Sequence, residues 1–390
     1  MRHMFSISVI VLIFILTACH GSNEYSANRT PTESTLTERI QPAITKTNSS
    51  IVDSTKIQET TILVDGTSMP VFLYIVGNKI FEQAGNHLLG EIMVLPEAGN
   101  ILYSIISGEI VLVLREQGIQ RANLYNKTVD MIFPFDKSAQ SGNMLLAPYS
   151  SKTFFSFIEN NPTGAFGRVT RIGIYDLNQN VVKQIADFPQ SMWLLGLTQD
   201  NDGAYLLPVG QDPDFGMMYL FDIQAKKIDQ ELSIQGTGYA SLSPDANFLI
   251  FAAFHQANDN RLEPSLNLYD LSYQPISPPR TFLLPDTLSQ VRGFLWSPNS
   301  RNLYFLFLPA DITYQPETID GLWKLSIESG GMSQVASVND PGYHTISISS
   351  QGNWILLKHE SKNEAILIDV PSGDEYQINI PANAIFVGWQ

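Results

Sequence analysis

The stretch GFLWSPNSRNLYFLF, residues 293–307, has a near-echo in GYASLSPDANFLIFAAF, residues 238–254. Both run a short apolar segment into Ser-Pro-Asp/Asn, then a few polar residues, then a second apolar segment. A pattern that returns at regular spacing constrains a fold more tightly than composition does. Each copy has to be one supersecondary unit that buries its apolar face against the next copy.

A second marker counts the copies: an apolar or aromatic strand that ends in Asp and runs into a polar turn. It occurs as Ile174-Tyr175-Asp176, Leu220-Phe221-Asp222, Leu268-Tyr269-Asp270 and Leu367-Ile368-Asp369. Leu124-Tyr125-Asn126 and Leu322-Trp323-Lys324 fit the same register as degenerate copies. The first residues of these triplets, 124, 174, 220, 268, 322 and 367, are spaced by 50, 46, 48, 54 and 45. Within each unit an apolar strand meets a tight turn, such as Ser243-Pro244-Asp245-Ala246, Ser297-Pro298-Asn299-Ser300 or Asp200-Asn201-Asp202-Gly203. Pro presets φ at the first corner of a turn, and Asp, Asn and Gly accommodate the rest. A second apolar strand, a variable loop, the strand ending in Asp and a fourth short strand complete the unit. Four short strands per repeat with no helical period predict an all-β chain folded as a β-propeller.

The Ser-Pro-Asp/Asn turns, followed by a strand ending in Tyr-Asp-Leu, resemble the WD-repeat-related blades of TolB-like β-propellers. In that family the turn usually reads Trp-Ser-Pro-Asp-Gly, and Trp296-Ser297-Pro298-Asn299-Ser300 is its nearest match here. The resemblance is good over residues 144–390 and loose over 57–143. Ala246 and Ser300 stand where the family prefers Gly, and Lys324 replaces the Asp that ends the strand.

The C-terminus, Ala384-Ile385-Phe386-Val387-Gly388-Trp389, matches the first strand of a unit and then stops. Its missing partners are expected between Gln58 and Gln83, at 59–64, 71–76 and 79–82, so that N- and C-terminal strands share one blade and close the ring without an open edge. Six full units plus this composite predict seven four-stranded blades. Six or eight stay open, because the first full unit, around 101–115, is irregular.

Residues 1–19 have the form of a signal peptide. Arg2 and His3 precede an apolar run too short and wrongly flanked for a membrane span. Leu16-Thr17-Ala18-Cys19 resembles the lipobox of bacterial lipoproteins, which implies lipidation of Cys19, the only cysteine. Residues 20–56 are rich in Ser, Thr, Asn and Glu and hold too little apolar surface to form a core, as expected of a flexible tether. The propeller then occupies 57–390. An export pathway and a lipid anchor to the cell envelope, on an outer membrane or the outer face of a plasma membrane, follow from the resemblance.

The net charge of −15 argues against nucleic acid, whose phosphates need clustered Lys and Arg. Signatures of known chemistry are missing: there is no Gly-x-Ser-x-Gly elbow, no His-Glu-x-x-His and no Gly-rich phosphate loop. Asp200-Asn201-Asp202-Gly203 lacks the alternating ligands of a calcium loop and occupies the position of a Ser-Pro-Asp turn. His255 and His344 are expected to be ordinary blade residues. Trp193, Trp296 and Trp354 are expected to fill space between blades. No metal or cofactor site and no catalytic residue is assigned.

What varies between units is the loop between the second and third strands, long at 159–171, 255–264 and 309–321 and intermediate at 210–216. Varied loops on a rigid scaffold are where function concentrates. Asp212, Asp214, Phe215, His255, Asn258, Asp259, Arg261, Asp311, Tyr314 and Glu317 are expected to form an acidic, partly aromatic rim on one face. The sequence thus predicts a monomeric protein-binding or scaffolding module of the envelope. An enzyme acting on glycan or lactone at the channel mouth, as a hydrolase or lyase, is the alternative.

Overall fold

The computed structural model describes residues 60–390, apart from 65–66, 148–150, 162–163, 165–166, 209–213, 238, 257–261, 273–275, 285–288, 310–320 and 339. Residues 1–19 and the tether lie outside the described residues. The unit Lys56–Gln390 is compact, and its described residues form strands and turns with no α-helix.

Seven antiparallel sheets follow one another around a ring. Blade 7, which closes the ring, uses β1 (Thr61–Val64), β2 (Thr67–Val76), β3 (Lys79–Ala84) and β4 (His87–Val94). Blade 1 is β5 (Ile101–Ser107), β6 (Ile110–Arg115), β7 (Gly118–Asn123) and β8 (Thr128–Pro134). Blade 2 is β9 (Ala139–Leu146), β10 (Lys152–Asn160), β11 (Arg168–Asp176) and β12 (Val181–Phe188). Blade 3 is β13 (Met192–Leu197), β14 (Gly203–Pro208), β15 (Asp214–Asp222) and β16 (Lys227–Thr237). Blade 4 is β17 (Ala240–Leu242), β18 (Phe248–Gln256), β19 (Leu262–Asp270) and β20 (Arg280–Leu283). Blade 5 is β21 (Ser289–Trp296), β22 (Asn302–Pro309), β23 (Gly321–Ser326) and β24 (Met332–Ala336). Blade 6 is β25 (Tyr343–Ile348), β26 (Trp354–His359), β27 (Ala365–Asp369) and β28 (Glu375–Ile378), and β29 (Ile385–Trp389) returns to blade 7.

The second strands are continuous apolar runs because both of their faces are buried. Along β22, Leu303, Phe305 and Phe307 pack toward blade 4, while Tyr304 and Leu306 pack toward blade 6. Along β6, Val111 and Val113 face blade 7 and Leu112 and Leu114 face blade 2. A strand's period of two sends alternate side chains to opposite seams. The described core accordingly divides into clusters that each join two neighbouring blades, one at every seam of the ring. Trp296 and Trp354 fill such seams as expected. Trp193 does not: it lies on a first strand and is 37% exposed.

The turn between first and second strands is built identically in successive blades. Ser243 Oγ donates to Asp245 Oδ1 (2.6 Å) and accepts the Phe248 N–H (2.9 Å). Ser297 does the same with Asn299 and Asn302, and Thr198 with Asp200 and Gly203. Asp200-Asn201-Asp202-Gly203 is therefore a scaffold turn. Its left-handed corner is Asn201 at φ +60°, matching Ala246 and Ser300 at +57°. This is why the family pattern has Gly at that corner.

Turns after the third strand are held by the terminal side chain. Asp176 Oδ1 accepts the N–H groups of Asn178 (2.9 Å) and Gln179 (3.1 Å), and Asp222 and Asp270 bond their turns likewise. Two markers need correcting. In blade 1 the capping residue is Asn123, which accepts from Tyr125 and Asn126, so Leu124-Tyr125-Asn126 is the turn itself. In blade 5 the strand ends at Ser326, and Lys324 sits mid-strand opposite Tyr304. The apolar triplets end three residues after the true strand end in blade 1 and two before it in blade 5.

Closure follows the expected scheme with one change of strands. β29 pairs with β2, placing Trp389 opposite Phe72 and Ile385 opposite Ile75. β2, β3 and β4 supply the other three strands of the blade. β1 is an extra piece: it pairs with Thr67–Pro70 of β2, on the part of that strand that β29 leaves free. The Thr60 N–H donates to the Gln390 carbonyl at 2.7 Å, so β1 and β29 meet end to end. Gly388 permits the close approach of β29 to β5 of blade 1, since a Cβ there would stand 2.2 Å from Ile106 Cγ2.

Candidate functional site: the central channel

First strands of successive blades neighbour one another around the axis. Each has a sheet partner on one side only, so its inner edge borders the central channel. Residues of β25, β29 and β5 line a cavity of about 1110 Å³ there. Its wall is largely apolar, with Leu102, Ile105, Ile346, Ile348, Phe386 and Val387. Two hydroxyls in this wall, those of Ser104 and Ser347, are engaged in joining strands. Ser104 Oγ donates to the Phe386 carbonyl at 3.0 Å, and Trp389 Nε1 donates to Ser347 Oγ at 2.9 Å.

Different chemistry marks the two ends. The ends of β5 and β7 bring Glu109, Lys127 and Tyr125 to one rim, with Tyr125 79% exposed. At the other end, His344 of β25 stands opposite Lys358 of β26. Lys358 is only 7% exposed, and its Nζ donates to the Ala382 carbonyl at 2.5 Å. Burial lowers the Lys358 pKa. His344 Nδ1 is buried without a hydrogen-bond partner. Burial, and then the neighbouring Lys358 ammonium, lower the His344 pKa.

A second titratable group nearby has a structural role. The Asp340 carboxylate accepts from Lys362 Nζ (2.6 Å) and faces His359 Nε2 at 3.3 Å on Oδ1. His359 Nδ1 accepts the backbone N–H groups of Ser361 (3.2 Å) and Lys362 (3.1 Å). With Nδ1 an acceptor, the ring proton sits on Nε2 and donates to Asp340. Both nitrogens are thereby committed to ordering the loop, leaving no free lone pair for a base.

The expected rim is not assembled by the described residues. Asp214 and Phe215 belong to β15, opposite Thr237 and Gly236, and His255 belongs to β18, opposite Glu263. The third and fourth strands of blade 3, and the second and third of blade 4, pair further out than the sequence suggested, which turns these three positions into ladder. Glu159 and Arg171, the bounds of the first long loop, are also ladder residues, and a buried ion pair joins them (2.7 Å). Asp212, Asn258, Asp259, Arg261, Asp311, Tyr314 and Glu317 lie outside the described residues.

Sequence reasoning passed over the pair at the channel end. His344 was expected to be an ordinary blade residue, and no motif marks Lys358. The available signal was a lysine inside Trp354–His359, a second strand otherwise built for double burial.

Among the described residues no three His, Cys, Asp or Glu side chains are placed to hold a metal ion. Several solved structures share the architecture. An oligogalacturonate lyase in complex with manganese matches at 10% identity, covering 83% of this chain and 96% of that one, with a TM-score of 0.54. The oligogalacturonate lyase of Vibrio parahaemolyticus matches at 9% identity over 77% and 92%, with a TM-score of 0.52. TolB from Acinetobacter baumannii superposes more loosely, at 14% identity over 71% and 67%, with a TM-score of 0.39. The two lyase likenesses support the propeller fold, and at such identities chemistry does not travel with it. No protein-family model and no curated protein matches the sequence.

Proposed function

We propose that this chain is a protein-binding or scaffolding module, exported and held at the cell envelope by lipid on Cys19. The carrying observation is the apolar channel wall, with exposed Tyr125, Glu109 and Lys127 at its rim. An apolar centre with a polar, aromatic edge is the usual anatomy of a recognition surface. The loops between second and third strands would add specificity through residues such as Asp259, Arg261, Asp311 and Tyr314. The test is a pull-down from native membranes with the Lys56–Gln390 unit. Capture of a defined partner, lost when residues 257–261 are replaced by a Gly-Ser segment of equal length, supports the reading.

A second reading draws on His344 and Lys358, a neutral imidazole beside an ammonium in a partly enclosed channel. Such a pair suits a propeller lyase or hydrolase acting on glycan or lactone. Turnover of a glycan library, abolished by His344→Gln, together with no captured partner, would put the enzyme first.

A further inference from the structure

We propose that the His344 end of the channel is a carboxylate subsite, and that the channel takes a small amphipathic ligand: an apolar chain ending in a carboxylate. This goes beyond protein binding, because the ligand would occupy the channel itself whether or not a partner docks over its rim.

The argument starts from unmet hydrogen-bonding capacity. An ammonium offers three N–H donors. Lys358, more than nine-tenths buried, places one on the Ala382 carbonyl. Glu82 and Glu109 are the carboxylate side chains that line the cavity, and Lys358 is in an ion pair with neither. A cation buried without a counter-charge is costly, so such a position calls for an anion. Directly across the ladder, His344 holds its Nδ1 buried and unpartnered. Both residues line the same cavity. One ligand carboxylate can accept from Lys358 Nζ and from an imidazole N–H together, as charge-assisted bonds that outweigh neutral ones.

The remainder of the wall decides what carries the carboxylate. Leu102, Ile105, Ile346, Ile348, Phe386 and Val387 present hydrocarbon, while the Ser104 and Ser347 hydroxyls are already engaged. Such a surface favours an alkyl body over the hydroxyls of a saccharide. A volume of about 1110 Å³ is ample for one.

The test is isothermal titration of dodecanoate, below its micelle threshold, into the Lys56–Gln390 unit. That unit carries every described strand and closes on itself. The expected result is saturable binding, weakened about tenfold or more in Lys358→Met, with dodecanol bound alike by both proteins. Removing a buried charge in favour of a side chain of similar length should leave the fold intact, which a melting curve checks. Should Lys358→Met not fold, wild type alone decides: dodecanoate must bind at least about tenfold tighter than dodecanol and dodecyltrimethylammonium. Absence of saturable dodecanoate binding, equal affinity in Lys358→Met, or binding of oligogalacturonate in place of dodecanoate would overturn the proposal.

Discussion

Phe72 of β2 and Trp389 of β29 stand opposite one another in the ladder that joins the two ends of the propeller, their rings 5.9 Å apart and inclined at 71°. Trp389 also packs edge-on against Phe386 and donates Nε1–H to Ser347 in blade 6. One side chain thus ties the closing blade to its neighbour. Trp389→Ala should lower stability by about 3 kcal/mol, the scale of a large aromatic truncation. Ending the chain at Ala384 deletes β29 and exposes an edge of β2. Melting curves should show the first effect, and size-exclusion profiles should show aggregation in the second.

Ala246 holds φ +57° at the corner of its turn. The left-handed conformation costs an L-residue about 1–2 kcal/mol, partly offset by the greater freedom glycine has when unfolded. Ala246→Gly should therefore stabilise the protein by about 0.5–1 kcal/mol, net of those two effects. Ser300 occupies the same conformation, but its Oγ accepts the Asp245 N–H from the adjacent blade and the residue is buried. Ser300→Gly should bring no gain. Paired thermal melts distinguish the two outcomes.

Glu159 is 1% exposed and accepts Arg171 Nε (2.9 Å) and Nη2 (2.7 Å) on one oxygen. Arg171→Met would leave a buried carboxylate without its partner and should cost about 3–5 kcal/mol. Replacing both residues, as Glu159→Leu with Arg171→Met, should recover most of that loss. A double-mutant cycle in urea measures the coupling.

Acid should weaken the fold in two stages. The Thr198 hydroxyl and the Asp202 N–H hold Asp200 below the ordinary 3.8. The N–H groups of Gln179 and Asn178 help hold Asp176 there too, against the opposing effect of burial. A depressed carboxylate contributes stability that is complete above the unfolded value and lost as pH falls through the folded one. His344 starts the decline sooner. Its pKa lies below the ordinary 6.5, so under that pH the unfolded chain takes up a proton that the folded chain refuses. Urea midpoints should fall between pH 7 and pH 5, less so in His344→Gln. The further drop toward pH 3 should shrink in Asp200→Asn.

Lipidation of Cys19 predicts that the full chain partitions into the detergent phase and that Cys19→Ser moves to the aqueous phase. Detergent partitioning of the two forms, expressed in the same bacterial host, checks this. Equal partitioning of both would remove the anchor.

Turn chemistry made the blades legible. A hydroxyl at Ser243 or Ser297, an acceptor two residues on and a left-handed corner all interact within a few residues, so the sequence displays them directly. The outer strand β4 was missed because His87–Val94 is exposed along most of its length and contains Gly90, leaving little apolar alternation to detect. Asp214, Phe215 and His255 read as loop and belong to strands, because ladder length depends on pairing between strands, which composition does not reveal.

The sequence by itself determined the repeat, the four-stranded unit and the joining of the ends, because turns and period-two burial are local properties that recur whenever the unit recurs. Only the tertiary structure decided how the ends interlock and what faces the axis. β1 and β29 share β2, and β25, β29 and β5 enclose one cavity with Lys358 and His344 at its end. Those neighbours are separated along the chain and meet only when the ring closes. Their environment is a product of closure, and no window of sequence contains it.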